Sequence, residues 1–122
     1  MTKIRKKILL VDDERAIRKV LSIKLKISGY DVVAASSGRE ALELIESACP
    51  DMMLLDVIMP GINGFEVLQK LRSTSELPVV VFSAKAENGQ KALSLGANDF
   101  MAKPIDVDEM IRRIEKVLNH KS

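Results

Sequence analysis

The chain has 122 residues, of which 47% are hydrophobic and 30% are charged, and its formal net charge is +2. This length predicts one domain over residues 1–122, and the balance of apolar and charged residues excludes a disordered chain. The small positive excess and the 3% of aromatic residues, with no Trp, argue against a surface for nucleic acid or for an acidic membrane.

The cysteine content and the N-terminal segment indicate the cellular compartment. Cys49 is alone, so no disulfide or cysteine-based metal site can form within the chain, and a small apolar filler is its simplest role. The basic segment 3–7 precedes only four apolar residues, too few for a signal peptide, and no run is long enough to cross a bilayer. We therefore predict a cytoplasmic protein that is not bound to a membrane.

Five short apolar runs alternate with amphipathic stretches along the chain. The first run, residues 8–11, is continuously apolar, which is typical of a strand buried on both faces of a sheet. The other predicted strands cover residues 31–35, 52–55, 79–82 and 99–102.

Five helical patterns follow these strands, each with apolar residues at intervals of three and four. The apolar residues that carry the patterns lie within 16–25, 41–45, 65–71, 92–95 and 110–117. Gly29 and Gly96 are the expected stops of the first and fourth helices. Ser37 with Glu40 forms a capping-box sequence for the second helix, and Asp106 is the expected N-cap of the last.

The alternation of strands and helices predicts the fold class. Strands that are joined by helical crossovers run parallel, with helices on both faces of the sheet. Right-handed crossovers restrict such a chain to doubly wound arrangements. We predict one α/β domain with a doubly wound, five-stranded parallel sheet. Ligands of such sheets bind beyond the carboxyl ends of the strands.

Polar residues collect at those carboxyl ends. Asp12 and Asp13 follow the first strand, Asp56 the third, Ser83 the fourth and Lys103 the fifth, so the parallel sheet brings them to one edge. Carboxylates this close repel one another, and Mg²⁺, which prefers oxygen ligands, relieves the repulsion. An ionised Asp56 can act as a nucleophile towards phosphorus, while Lys103 neutralises charge and Ser83 donates a hydrogen bond.

Each of these residues alone has a simpler explanation. An Asp after a strand most often forms a turn or caps a helix, a Lys before Pro is usually a solvated loop residue, and a single Ser is more often structural. Their joint occurrence at successive strand ends would then be a coincidence. The combination therefore favours a site for Mg²⁺ and a phosphoryl group.

Five motifs carry these residues in order. They are LVDDE at 10–14, LLDVIMPG at 54–61, FSAK at 82–85, GANDF at 96–100 and KP at 103–104. Together they resemble the receiver domain of two-component response regulators, and the resemblance covers nearly all of the chain. It implies a flavodoxin-like sheet with strand order 2-1-3-4-5.

The resemblance also implies the residues that bind phosphate and metal. Asp56 matches the phosphoacceptor, which takes the phosphoryl group of a phosphohistidine. Asp12 and Asp13 match the acidic pair that binds Mg²⁺, with Asp56 and the backbone carbonyl of Ile58 as further ligands. Lys103 matches the lysine that contacts the phosphoryl group.

The residues of a conformational switch follow from the same resemblance. Ser83 matches the switch hydroxyl and Phe100 the switch aromatic, which shift together and remodel the face of the fourth helix, fifth strand and fifth helix. The bond between Lys103 and Pro104 is expected to be cis, which aims Lys103 into the pocket. Phe100 lacks the hydroxyl of the Tyr that is often found there. Asn88-Gly89 leaves the start and length of the fourth helix open.

The function implied is that of a signalling domain and not of an enzyme. The expected partners are a sensor histidine kinase or a histidine phosphotransfer protein and a downstream target that the sequence does not name, with no direct binding of nucleic acid. A phosphohydrolase with an aspartate nucleophile is the nearest alternative, but it needs an acid two residues after Asp56, where Ile58 stands. A flavin carrier is disfavoured because acids follow the first strand.

Two further surfaces leave alternatives open. Ile23 and Ile27 lie beside the core stripe of the first helix, where they either widen the core contact or form, as the resemblance implies, a docking face for the kinase. Ile58 and Lys85 match the positions that, in the family this chain resembles, flank the path of the water that hydrolyses the aspartyl phosphate. The resemblance then implies slow hydrolysis, because neither side chain offers an acceptor to orient that water. The alternative is that both side chains lie in solvent without effect.

Overall fold

Strands and helices alternate strictly in the computed structural model, which describes residues 5–119. The strands are β1 (Lys7–Val11), β2 (Asp31–Ala35), β3 (Met52–Asp56), β4 (Val79–Ser83) and β5 (Asp99–Ala102). The helices are α1 (Arg15–Ile27), α2 (Gly38–Ala48), α3 (Gly64–Arg72), α4 (Asn88–Ser94) and α5 (Val107–Asn119). Each predicted strand is confirmed to within one residue at either end.

The five strands form one parallel sheet in the order β2-β1-β3-β4-β5. This confirms the predicted class and strand order. Val11 pairs with Leu55, and Asp56 pairs with Phe82, so the carboxyl ends of β1, β3 and β4 lie level along one edge. The sheet therefore carries the residues after these strands to a common surface.

Two apolar cores cover the two faces of the sheet. Alternate residues of each strand point to opposite faces, so Leu9 and Leu55 belong to one core and Ile8 and Leu54 to the other. Helices α2, α3 and α4 pack on the first core, and α1 and α5 pack on the second. This arrangement explains the uninterrupted apolar runs at residues 8–11, 52–55 and 79–82. No helix of the described range is long and apolar enough to cross a membrane.

The helix caps differ in part from the sequence prediction. The Ser37 hydroxyl caps α2 by accepting a hydrogen bond from the Glu40 amide at 3.1 Å. The Glu40 carboxylate, however, accepts from the Ser36 amide at 2.7 Å, so the predicted capping box is wrong in its second half. The complete capping box lies at α3, between Asn63 and Glu66, which the sequence reasoning missed.

The fourth helix is short and begins at Asn88. Its first turn continues from the β4–α4 loop, because the Asn88 amide donates to the Lys85 carbonyl at 3.0 Å. Gly96 ends the segment with a φ of 105°, as predicted. Cys49 adopts a φ of 49° after α2 and is exposed, so the expectation that it fills the core is wrong.

Candidate functional site

The buried polar residues within 5–119 are concentrated at the carboxyl edge of the sheet. They are Asp12, Asp56 and Ser83. Burying polar and charged groups is costly unless they are paired, so three at one edge mark a region that is not built for stability alone. Each of them directly follows or ends a central strand of the sheet.

Three carboxylates meet at this edge. Asp12, Asp13 and Asp56 each offer an oxygen, and these oxygens lie within 4.8 Å of one another. Asp12 and Asp56 are buried, whereas Asp13 is exposed, so the cluster opens to solvent on one side. The structure thus brings together the side chains that the sequence predicted as metal ligands, and β1 and β3 do so because they are neighbours in the sheet.

Lys103 contacts two of the three carboxylates. Its Nζ atom lies 3.2 Å from Asp12 Oδ2 and 3.4 Å from Asp56 Oδ2. The side chain passes over β4, with Nζ 5.3 Å from the centre of the Phe82 ring. The Lys103 amide donates to the Ser83 carbonyl at 2.8 Å, and the bond between Lys103 and Pro104 is cis.

The charges of the site shift one another's pKa values. Burial raises the pKa of Asp56 to about 6, the negative charge of Asp12 adds to this, and Lys103 opposes it. Burial pushes the pKa of Lys103 down, but Asp56 and Asp12 outweigh burial and raise it above the ordinary value. At neutral pH Asp56 is therefore mainly ionised and Lys103 is protonated.

The donor set of the site fits a hard divalent cation. Two of the carboxylate oxygens are fixed by backbone amides, since Asp12 Oδ1 accepts from Glu14 at 2.8 Å and Asp56 Oδ1 accepts from Ile58 at 3.2 Å. The single positive charge of Lys103 leaves the three carboxylates with a net negative charge. Carboxylate oxygens with residual negative charge are the ligands that Mg²⁺ prefers.

An open cavity of about 230 Å³ lies over Asp13 and Asp56. Its lining residues are Asp13, Glu14, Asp56, Ile58, Ala84 and Lys103. Glu14 is a member of this site that the sequence reasoning did not single out, although its position next to Asp12 and Asp13 was a visible signal. The cavity leaves the end of β3 at Asp56 open to a small ligand.

The two predicted switch residues lie outside this cavity. Ser83 is fully buried, and its Oγ atom accepts hydrogen bonds from the Lys85 amide at 3.1 Å and from Asn88 Nδ2 at 3.0 Å. Phe100 is half-buried and packs on the core beneath α4, against Gly89. The contact between Asn88 and Ser83 was not predicted, because a side chain five residues beyond a strand carries no directional signal in the sequence.

Ile58 and Lys85 line a second cavity beside the first. This cavity measures about 320 Å³ and lies between the loops that follow β3 and β4. Ile58 lines both cavities, and Lys85 lines only the second. Ile58 therefore borders the cavity over Asp56, whereas Lys85 lies only in the neighbouring cavity.

A larger apolar groove of about 580 Å³ begins beside Lys103 and runs along α1. It lies between the first half of α1 and the segment that joins β5 to α5, and Pro104 and Ile105 form part of its wall. Val20, which we expected in the core, lines this groove and is 52% exposed. Ile23 and Ile27 are 49% and 76% exposed, so they do not widen the core contact.

Comparisons with known proteins agree with this architecture. The sequence profile of the response regulator receiver domain matches residues 8–115. The response regulator MprA of Mycolicibacterium vanbaalenii is 43% identical over 115 residues, which cover 92% of this chain and 50% of the relative. The alkaline phosphatase synthesis transcriptional regulatory protein PhoP of Bacillus subtilis is 42% identical over 118 residues, which cover 94% of this chain and 49% of the relative.

Solved structures give the same result. The receiver domain of the Francisella response regulator 1452 superposes with a TM-score of 0.91 and is 31% identical, and the match covers 97% of this chain and all of that chain. The chain spans about half the length of the curated relatives it matches. The profile match over residues 8–115, the strand order and the acidic edge of the sheet lead to one conclusion: the chain belongs to the receiver domain family of response regulators.

Proposed function

We propose that this receiver domain accepts a phosphoryl group from a phosphohistidine onto Asp56, in a reaction that needs Mg²⁺. The observation that carries the proposal is the position of Asp56. Its carboxylate ends β3 beneath an open cavity, 3.4 Å from Lys103 Nζ, and shares its edge of the sheet with Asp12 and Asp13.

The chemistry of the transfer follows from the ionisation of Asp56. A carboxylate oxygen attacks phosphorus as the N–P bond of the phosphohistidine breaks, and the electron pair of that bond returns to the imidazole nitrogen. Because the pKa of Asp56 is raised only to about 6, the nucleophile is ionised at neutral pH and needs no general base. The ammonium group of Lys103 lies at the edge of the cavity, where it can donate a hydrogen bond to a phosphoryl oxygen.

The proposed ligands of Mg²⁺ are Asp12, Asp13, Asp56 and the backbone carbonyl of Ile58. When bound, Mg²⁺ supplies positive charge against the phosphoryl oxygens. Asp12 is held in place by its hydrogen bond from the Glu14 amide, and Asp13 is the exposed member that faces the cavity. Since an isolated buried carboxylate pair is unfavourable, metal binding also relieves repulsion between Asp12 and Asp56.

The proposed output uses Ser83 and Phe100. Both acceptor positions of the Ser83 hydroxyl are taken in this structure, so its proton remains available for a phosphoryl oxygen. A rotation of Ser83 towards Asp56 alters its contact with α4, and Phe100 lies beneath the same helix. The surface of α4, β5 and α5 is the proposed output face for a downstream target, without direct contact to nucleic acid.

The proposed phosphodonor is a sensor histidine kinase or a histidine phosphotransfer protein, which docks on α1. The apolar groove runs from the first half of α1 to Lys103, and Ile23 and Ile27 are exposed apolar residues further along the same helix. The helix has basic but no acidic residues between its ends: Arg15, Arg18, Lys19, Lys24 and Lys26. An apolar strip with a charged rim is suited to a transient protein interface.

The remaining parts of the proposal concern the whole chain. Residues 1–122 form one receiver domain, which is supported by the single sheet that both cores share. The domain signals and is not an enzyme, in line with relatives named as regulators. Its compartment is the cytoplasm, where the exposed thiol of Cys49 stays reduced.

Labelling with acetyl phosphate tests this proposal. We expect the mass of the intact protein to rise by one phosphate in the presence of Mg²⁺, and we expect no labelling after Asp56→Asn or with EDTA. Asp31→Asn is the matched control, because it removes an exposed carboxylate at the opposite end of the sheet. Labelling of Asp56→Asn at the unchanged yield would exclude the proposal, and turnover of general phosphate esters would instead favour a phosphohydrolase.

A further inference from the structure

The first two residues of α4 contact both proposed switch residues. Asn88 Nδ2 donates a hydrogen bond to Ser83 Oγ at 3.0 Å. Gly89 is buried, and a Cβ atom placed on it would lie 2.8 Å from Cδ2 and 3.1 Å from Cε2 of Phe100. Adjacent residues of one helical turn thus hold a side chain of β4 and a side chain of β5.

The hydrogen bonds around Ser83 close the β4–α4 loop. Ser83 Oγ accepts from the Lys85 amide at 3.1 Å, and the Lys85 carbonyl accepts from the Asn88 amide at 3.0 Å. The Asn88 side chain then returns to Ser83, so the strand end and the helix start are joined by a ring of three hydrogen bonds. Ser83 cannot rotate away from α4 without breaking the bond from Asn88.

Glycine at position 89 is required by the Phe100 ring. The ring lies against the helix backbone, closer than any side chain at this position would allow without a shift of the ring. Phe100 pairs with Val81, and Ser83 pairs with Ala102, so the two switch residues lie one pleat apart on neighbouring strands. The first turn of α4 bridges that gap.

We propose, on the basis of the function proposed above, that Asn88 is a positioning residue that holds the Ser83 hydroxyl in its resting place and thereby sets how readily the domain switches. Gly89 lets Phe100 pack under the same turn, so both switch residues respond to one element. A phosphoryl group that draws Ser83 towards Asp56 must first break the bond from Asn88. The affinity for such a group is reduced when the competent state is scarcely populated.

Beryllofluoride, a phosphoryl analogue, provides the test in the presence of Mg²⁺. We expect Asn88→Ala to bind it more tightly than the parent, by about two- to tenfold, which is the range of one hydrogen bond of ordinary net strength. The matched control is Gln90→Ala, which removes an exposed amide from the same helix and leaves the affinity unchanged. In the Asn88→Ala protein without ligand, the backbone amide NMR resonances of Gly89 and Phe100 should move towards the positions that they have in the parent saturated with beryllofluoride and Mg²⁺.

A double-mutant cycle separates positioning from a structural role. If Asn88 acts through the Ser83 hydroxyl, Asn88→Ala has no effect on beryllofluoride affinity in a Ser83→Ala background. An equal effect in both backgrounds overturns the proposal, and so does an unchanged or weaker affinity of Asn88→Ala. If Asn88→Ala does not fold, Asn88→Ser replaces it, because its shorter side chain also removes the bond.

If the function proposed for Asp56 is wrong, the parent does not bind beryllofluoride with Mg²⁺, or Asp56→Asn binds it equally well. If the parent binds and Asp56→Asn does not, the comparison of Asn88→Ala with the parent tests the inference alone.

Discussion

Replacement of Asp56 by Asn is expected to stabilise the fold when no divalent cation is bound. Burial and the charge of Asp12 raise the pKa of the Asp56 carboxyl group from 3.8 to about 6, although Lys103 opposes the shift. As the pH rises, the unfolded chain releases this proton first, so the free energy of unfolding falls between these two pKa values and stays lower above them. An amide of the same shape removes this loss.

The difference between the two pKa values sets the magnitude. At about 1.4 kcal/mol per pKa unit, the shift corresponds to at most about 3 kcal/mol above pH 7 and to about 0.5 kcal/mol at pH 4. Relaxation of the site and water entry reduce this figure, so we expect a stabilisation of about 1–3 kcal/mol near pH 8. For a chain of this length, that raises the Tm by roughly 5 °C per kcal/mol.

Urea unfolding in EDTA, near pH 4 and near pH 8, measures the effect. The difference in unfolding free energy between Asp56→Asn and the parent should be several-fold larger at the higher pH, while the control Asp31→Asn changes stability little at either pH, since its ion pair with Arg5 is exposed. Addition of Mg²⁺ should narrow the difference by binding to the folded parent. A stabilisation that is equal at both pH values would refute the raised pKa as its cause.

Three further variants test the hydrolysis of the aspartyl phosphate, the transfer of phosphate from the kinase, and the packing of α3 against the backbone of Asp56. The double variant Ile58→Asn with Lys85→Glu should lose phosphate faster than the parent at fixed Mg²⁺, because acceptor groups then orient a water near Asp56; decay at the same rate would mean that these positions do not control hydrolysis. Ile23→Ser should slow transfer from the kinase and leave labelling by acetyl phosphate intact, whereas equal loss in both assays would indicate simple destabilisation. Gly64→Ala should cost about 1–3 kcal/mol in urea unfolding, since its methyl group would meet the backbone of Asp56, and unchanged stability would contradict this packing.

The fold and the main site follow from features that are local in the sequence. Uninterrupted apolar runs indicate strands buried on both faces, and helical crossovers between them require a parallel sheet. Because all strands of such a sheet end at one edge, the acids after the first and third strands were expected to meet, and Asp12, Asp13 and Asp56 do lie together. These inferences depend on periodicity and connectivity, which one sequence contains.

The tertiary structure decides how side chains are oriented and paired at that edge. Val20 has the spacing of a core residue, yet it faces the groove, because the segment after β5 does not cover that part of α1. Glu40 reaches Ser36 in place of Ser37, since cap geometry depends on the loop that enters the helix. Lys103 reaches Asp56 across Phe82, and Ser83 is held by Asn88, through contacts between separate elements. Such contacts depend on the distances at which the packed elements settle, and a pattern of residue types along one chain does not contain those distances.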